Sequence, residues 1–230
     1  MRAIIFDKDG TLMAFDPFWT AVTDAALSML AARLGAAQYE EEMKRTIGLD
    51  GGVIAEDSVI RSGTYAQAAD AINEALQGHG FPARTTGAEL AELFAKCTDR
   101  GVILPTCEGI PELLEKLQDE GYLLFVVTTD APAITQRCLD DLKISRYFCE
   151  VITDNGSFPA KPDPGALHYL MEKYSLSAEN VWMVGDTDTD IRFARNGGIA
   201  AIRVGERGSS ACPEDMLIRD VTCLQSLIVP

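Results

Sequence analysis

The sequence predicts an α/β protein, a doubly wound parallel sheet with an inserted α-helical cap domain. Short apolar runs recur between helix-period segments, acids cluster just after several of those runs, and the long stretch between the first and second runs holds several helical segments and no convincing strand. The length of 230 residues fits one domain with a large insertion, and 47% hydrophobic against 24% charged residues supplies enough apolar surface for a core.

Ala3–Phe6, Leu123–Val127, Phe148–Ile152, Val181–Val184 and Ala200–Val204 read as strands. They are continuously apolar rather than alternating, as strands covered on both faces must be. Helix starts are marked by Asp16 before Pro17 and Asp163 before Pro164, an N-cap followed by proline at the first helical position. Gly121 and Gly197 fall where helices are expected to end. Alternation of strand and helix implies right-handed crossovers in a parallel sheet.

From Asp16 to Arg100 the pattern is helical, including Tyr65–Leu76 after a Thr64 cap and Ala88–Thr98 after a Thr86 cap. A crossover needs only about a dozen residues. The stretch is therefore read as a cap spanning 16–100, with 1–15 and 101–230 as the core. Gly48 to Gly52 is expected to be a loop in the cap that faces substrate. Phe18 and Trp19 are expected to pack the junction of cap and core. Arg45 and Arg61 lie in the cap, where helical arginines mostly cover surface; a substrate carboxylate is the alternative partner. His79 and His168 read as ordinary surface or core histidines.

The net charge of −15 argues against binding nucleic acid or an anionic membrane through a broad basic face. It is compatible with a phosphorylated substrate, because one lysine and a bound cation can reverse the sign locally. Cys97, Cys107, Cys138, Cys149, Cys212 and Cys223 are scattered and form no CxxC pair, which argues against zinc and reads as reduced thiols in a cytoplasmic protein. The opening MRAIIFDKDGTL does not read as a signal peptide, and no stretch approaches the ~20 apolar residues that span a bilayer.

Open parallel sheets bind ligands beyond the carboxyl ends of their strands. The first strand is followed by Asp7-Lys8-Asp9-Gly10-Thr11, the second by Thr128-Thr129-Asp130, and the fourth by Gly185-Asp186-Thr187-Asp188-Thr189-Asp190. Converging carboxylates repel unless a cation intervenes, and oxygen donors suit Mg2+. A Gly10 turn can aim Asp7 and Asp9 at opposite ends of a phosphoryl group, one to attack phosphorus and the other to protonate the leaving oxygen. Thr128 and Thr129, with free amides before a helix, can hold an anion. Lys161, between prolines, can neutralise a carboxylate and a phosphate oxygen together. Asp186 is the best candidate metal ligand; Asp190 is placed to bind metal through water or to hold Lys161. Asp188 is explained as an acid at a helix N-terminus.

Together FDKDGTL, VVTT, KPDP and VGDTDTDI, in that order, resemble the haloacid dehalogenase-like hydrolase superfamily, and within it the phosphoglycolate-phosphatase-like members with a helical cap. The resemblance spans essentially the whole chain. It implies a Rossmann-like core, with Asp7 as nucleophile, Asp9 as acid/base, and Thr128 and Lys161 holding the phosphoryl group with Gly10 and Thr129. It further implies Mg2+ on Asp7, Asp9 and Asp186, with Asp190 in support. Thr129 stands where many relatives have asparagine, and Ala14 where many carry an acid. Asp9 itself argues against dehalogenase chemistry. The expected activity is hydrolysis of a small phosphorylated metabolite, phosphoglycolate first, by a monomer or homodimer. A phosphomutase and a non-catalytic phosphate-binding protein of the same fold are the alternatives.

Overall fold

The structure is a computed structural model, described here for residues 1–55, 57–82, 84–207 and 213–227. Cys212 lies outside the described residues. The chain forms two compact units, Met1–Ala14 with Leu104–Pro230, and Phe15–Ile103. It opens with β1 (Arg2–Phe6) and then enters the second unit through α1 (Phe15–Leu34) and α2 (Glu40–Ile47). There follow β2 (Leu49–Asp50), β3 (Val53–Ile54), α3 (Val59–Ser62), α4 (Tyr65–Gly78) and α5 (Gly87–Lys96). Back in the first unit come α6 (Ile110–Asp119), β4 (Tyr122–Val127), α7 (Pro132–Asp141), β5 (Glu150–Ile152) and α8 (Gly165–Lys173). The chain continues with β6 (Val181–Gly185), α9 (Asp188–Asn196), β7 (Ala200–Val204), β8 (Met216–Ile218) and α10 (Leu224–Leu227).

In the first unit the described residues build a parallel sheet in the order β5-β4-β1-β6-β7-β8. Successive side chains of a strand face opposite ways, and here both faces are covered. Ile4, Phe6, Leu124, Val126 and Val184 pack with Leu113, Leu114 and Leu117 of α6. Ala3, Ile5, Phe125, Val127 and Met183 pack with Leu167 and Leu170 of α8 and Ile191 and Phe193 of α9. That double burial is why the strands read as unbroken apolar runs. The third strand is shorter than expected, beginning at Glu150, although the Cys149 amide already donates to the Leu124 carbonyl at 2.8 Å. β8 was not anticipated, since three residues carry too little pattern.

The second unit is mainly helical. Phe18, Val22, Ala26, Leu27 and Leu30 form one buried stripe of α1, and Trp19 contacts Phe94 of α5 at 6.0 Å between ring centroids. Capping boxes at Thr64 with Gln67 and at Thr86 with Glu89 start α4 and α5, as the sequence suggested. Asp16 is not an N-cap: α1 begins one residue earlier, and the Asp16 carboxylate pairs with Arg61 at 3.0 Å. The expected glycine-rich loop is the turn of a short antiparallel hairpin, with Gly51 and Gly52 at φ +55 and +79 between β2 and β3. Asp16, Asp24, Glu41, Lys44, Gly51 and Gly52 are among the residues lining a cavity of about 590 Å3 in this unit.

No helix among the described residues is long and apolar enough to cross a membrane. The described cysteines, Cys97, Cys107, Cys138, Cys149 and Cys223, are free. Because Phe125 is fully buried and its ring meets Tyr174 at 4.8 Å, Phe125→Ala is expected to cost about 3–5 kcal/mol. The shift of the chemical denaturation midpoint of the sheet unit checks this.

Candidate active site

The strand order reverses at β1: the chain steps outward through β4 and β5, then returns to the other side with β6, β7 and β8. A crevice opens at the carboxyl ends of strands at such a point. Asp7 follows β1 and its amide donates to the Val184 carbonyl of β6 at 2.8 Å, so the ladder runs into the site. Asp186 leaves the neighbouring strand at the same level. Two glycines make room. Gly10 has φ +76, and a Cβ there would lie 2.0 Å from Oδ2 of Asp186. A Cβ on Gly185 would lie 2.4 Å from the Asp190 side chain.

Carboxylate oxygens of Asp7, Asp186 and Asp190 lie within 4.8 Å of one another. Lys161 arrives from the loop before α8 and is buried. Its Nζ donates to Asp7 Oδ1 at 2.6 Å and to Asp190 Oδ1 at 2.6 Å. The other Asp190 oxygen accepts from the Thr187 amide at 3.1 Å and hydroxyl at 2.7 Å, within the capping box that starts α9. Asp190 is therefore committed to holding Lys161 and the helix start. Asp163 does cap, but one position early: its Oδ1 accepts from the Gly165 amide at 2.8 Å while Pro164 occupies the N-cap itself.

Burial dominates the electrostatics. It pushes the Asp7 carboxyl up to about 7, helped by Asp190 and Asp9 and opposed by Lys161. Burial, then Asp7 and Asp190, raises Asp186 well above the usual carboxylate range. Lys161 stays charged: Asp190 and Asp7 outweigh the burial that disfavours its ammonium. One ammonium among three close carboxylates leaves excess negative charge, and these hard oxygen donors fit a small divalent cation.

A second buried cluster adjoins on the chain. Lys8, fully buried, donates from Nζ to Asp9 Oδ1 at 2.6 Å and pairs with Asp130 Oδ2 at 3.3 Å. Thr128 is buried beside Lys161 in the lining of one narrow cavity, while Thr129 is half-buried. The expectation of free amides here needs correction. The Thr128 amide donates to Ile152 at 3.0 Å, that of Asp130 to Thr128 Oγ1 at 3.2 Å, and that of Ala131 to Asp130 Oδ1 at 2.7 Å. The buried start of α7 consumes these donors, which leaves the Thr129 amide as the candidate anion contact.

Sequence reasoning passed over Lys8 and Arg203. Arg203, almost wholly buried in β7, donates to the Asp186 carbonyl at 2.7 Å and pairs with Asp188 and Glu214, so it braces the loop that carries Asp186. The signal was available: a charged residue inside the apolar run Ala200–Val204 must find buried partners. Asp188 thus serves as a partner of Arg203. In the helical unit Arg45 is exposed, and Arg61 lies over the Phe15 ring at 4.1 Å in addition to pairing with Asp16. His168 is exposed, and His79 stacks on Tyr39 at 4.8 Å and pairs with Glu42.

A doubly wound sheet that gathers carboxylates and one lysine beyond β1 and β6 defines a class of hydrolase, and comparison agrees. Residues 1–198 match the haloacid dehalogenase-like hydrolase family, and the chain belongs to that family. It is similar to a phosphoglycolate phosphatase of Vibrio parahaemolyticus, with 29% identity over 87% of this chain and 82% of the relative. In fold it resembles a predicted phosphoglycolate phosphatase of Haemophilus somnus, with TM-score 0.69, 21% identity, and 99% and 98% of the two chains covered. It also resembles a HAD hydrolase of Bacillus subtilis bound to magnesium, with TM-score 0.65, 19% identity, and 100% and 99% covered.

Gly10→Ala tests the close approach of Asp186. A side chain at positive φ costs about 1–2 kcal/mol, and here the new methyl group must also displace the Asp186 carboxylate. The variant is expected to melt lower than wild type and to gain less thermal stability from added MgCl2, which differential scanning fluorimetry measures.

Proposed function

We propose that the chain is a magnesium-dependent phosphatase that hydrolyses a small phosphate monoester through an aspartyl phosphate on Asp7. The observation that carries this is a buried Asp7 with one oxygen fixed by Lys161, set among the carboxylates of Asp186 and Asp190. Holding one oxygen directs the other, which is how a carboxylate is prepared for in-line attack.

Asp7 forms a bond to phosphorus as the bond from phosphorus to the leaving oxygen breaks. Asp9, as the carboxylic acid, gives that oxygen its proton. The resulting Asp9 carboxylate then takes a proton from water while the water oxygen bonds to phosphorus and the bond to Asp7 breaks, releasing inorganic phosphate. Thr128 and Lys161 contact the phosphoryl oxygens, with the Gly10 turn and the Thr129 amide beside them. Asp7, the Asp9 carbonyl and Asp186 would hold Mg2+, and Asp190 supports the set through Lys161. The bound ion offsets negative charge on the transferring group. The names of the relatives make phosphoglycolate the first substrate to test. The inserted helical unit is read as a cap domain.

Asp7→Asn is expected to lower phosphate release from p-nitrophenyl phosphate with Mg2+ by roughly a thousandfold or more, with an unchanged circular dichroism spectrum. Near-normal turnover in that variant would remove Asp7 from the mechanism. Release of free phosphate, rather than an isomeric sugar phosphate, separates hydrolysis from mutase activity.

The raised Asp7 carboxyl also makes stability depend on pH. Its folded value of about 7 lies above the ordinary 3.8, so the folded chain holds a proton that the unfolded chain has lost in that window. Without metal, this contribution is full below pH 3.8 and is lost as pH rises through about 7. The melting temperature of Asp7→Asn relative to wild type should therefore rise with pH across that window. The stabilisation of wild type by MgCl2 should grow over the same range, because the ion competes with protons for the carboxylates.

A further inference from the structure

We infer that Lys8, between the two proposed catalytic aspartates, is a positioning residue: its buried ammonium holds one oxygen of the Asp9 carboxyl group, so that the other oxygen, when it carries the proton, is directed at the leaving oxygen, with Asp130 as the anchor behind it. This rests on the reading of Asp9 as acid/base.

Lys8 forms a bridge between a half-buried end and an interior one. Its Nζ meets Asp9 Oδ1 at 2.6 Å and Asp130 Oδ2 at 3.3 Å, and the Asp9 side chain is 14% exposed where that of Asp130 is 4% exposed. The interior end is pinned. Asp130 Oδ1 accepts from the Ala131 amide at 2.7 Å, its amide donates to Thr128 Oγ1, and its carbonyl accepts from Asp154 at 2.8 Å. Asp130 therefore cannot follow Lys8; Lys8 must stay with Asp130.

The backbone around Asp9 is fixed independently. The amides of Leu12 and Met13 both donate to the Lys8 carbonyl at 2.9 Å, the Gly10 amide donates to Met13 at 2.7 Å, and Thr106 donates its hydroxyl to the Thr11 carbonyl at 2.7 Å. With the main chain held, the remaining freedom of Asp9 is rotation of its side chain, and the bond from Lys8 restrains it. Burying an ammonium is costly, and an apolar side chain of similar size is often as stable in such a place. Orientation is the return for that cost. Each proposed catalytic carboxylate thus has its own buried lysine, Lys161 for Asp7 and Lys8 for Asp9.

The test uses substrates that differ in their need for a proton. p-Nitrophenolate leaves without one, whereas an alkoxide requires the acid. kcat/KM, which reports the steps through phosphoryl transfer to the enzyme, is measured with Mg2+ for p-nitrophenyl phosphate and for 2-phosphoglycolate, or glycerol phosphate if wild type turns that over faster. Lys8→Met is expected to shift the ratio of the two values at least tenfold toward the nitrophenyl ester, and Lys8→Arg to restore part of it. The double variant Lys8→Met with Asp130→Asn preserves net charge and is expected to show the same shift should the single variant fail to fold. An unchanged ratio in folded variants, with both substrates affected equally or neither affected, overturns the inference and leaves the phosphatase reading intact. A wild type inactive on all of these esters overturns the phosphatase reading, and this inference with it.

Discussion

A carboxylate buried without a counter-charge is expensive, and the α/β unit is organised around that constraint. It collects acids at the ends of its strands and matches them with buried cations, each shared between carboxylates. Lys161 serves Asp7 and Asp190, Lys8 serves Asp9 and Asp130, and Arg203 serves Asp188 and Glu214. Asp186 stands outside these pairings, with the Thr11 hydroxyl donating to it at 3.3 Å. The arrangement therefore concentrates its uncompensated charge where an ion and a phosphoryl group would meet. Sharing one ammonium between two acids does more than neutralise. It fixes the angle between them, and in-line displacement depends on angle as much as distance.

Glycine provides the complementary half of the design. Gly10 and Gly185 contribute by having no side chain, so that Asp186 and Asp190 can press against the backbone of neighbouring segments. Lysine and glycine together explain how several acids fit into so small a volume: one lowers the electrostatic cost, and the other removes the steric one.

Much of this was legible in the letters. Strands covered on both faces announce themselves as unbroken apolar runs, and Asp7, Asp9, Lys161, Asp186 and Asp190 stood out because they follow such runs or sit between prolines. What escaped notice has physical reasons. β2 and β3 have two residues each, too few for any periodicity. Asp16 looked like a cap because aspartate before proline suits one, but its carboxylate found Arg61 instead. The amides after Thr128 seemed available because sequence does not reveal which donors a tight helix start will use. Lys8 escaped because a lysine in a polar turn is ordinarily solvated, and only the coordinates reveal that it is enclosed; Arg203 was signalled by its place inside an apolar run, which no partner in sequence explained.

The central place of β1 has a consequence for synthesis. Its partners begin at Tyr122 and Val181, and Lys161 lies 154 residues beyond the aspartate it holds. β1, whose neighbours in the sheet lie beyond the helical unit in sequence, therefore stays apolar and unpaired until that unit and β4 have been made. The helical unit, built from neighbouring segments, can consolidate during that delay. Nascent fragments that stop short of Lys161 carry Asp7 without the ammonium that holds it in the folded chain.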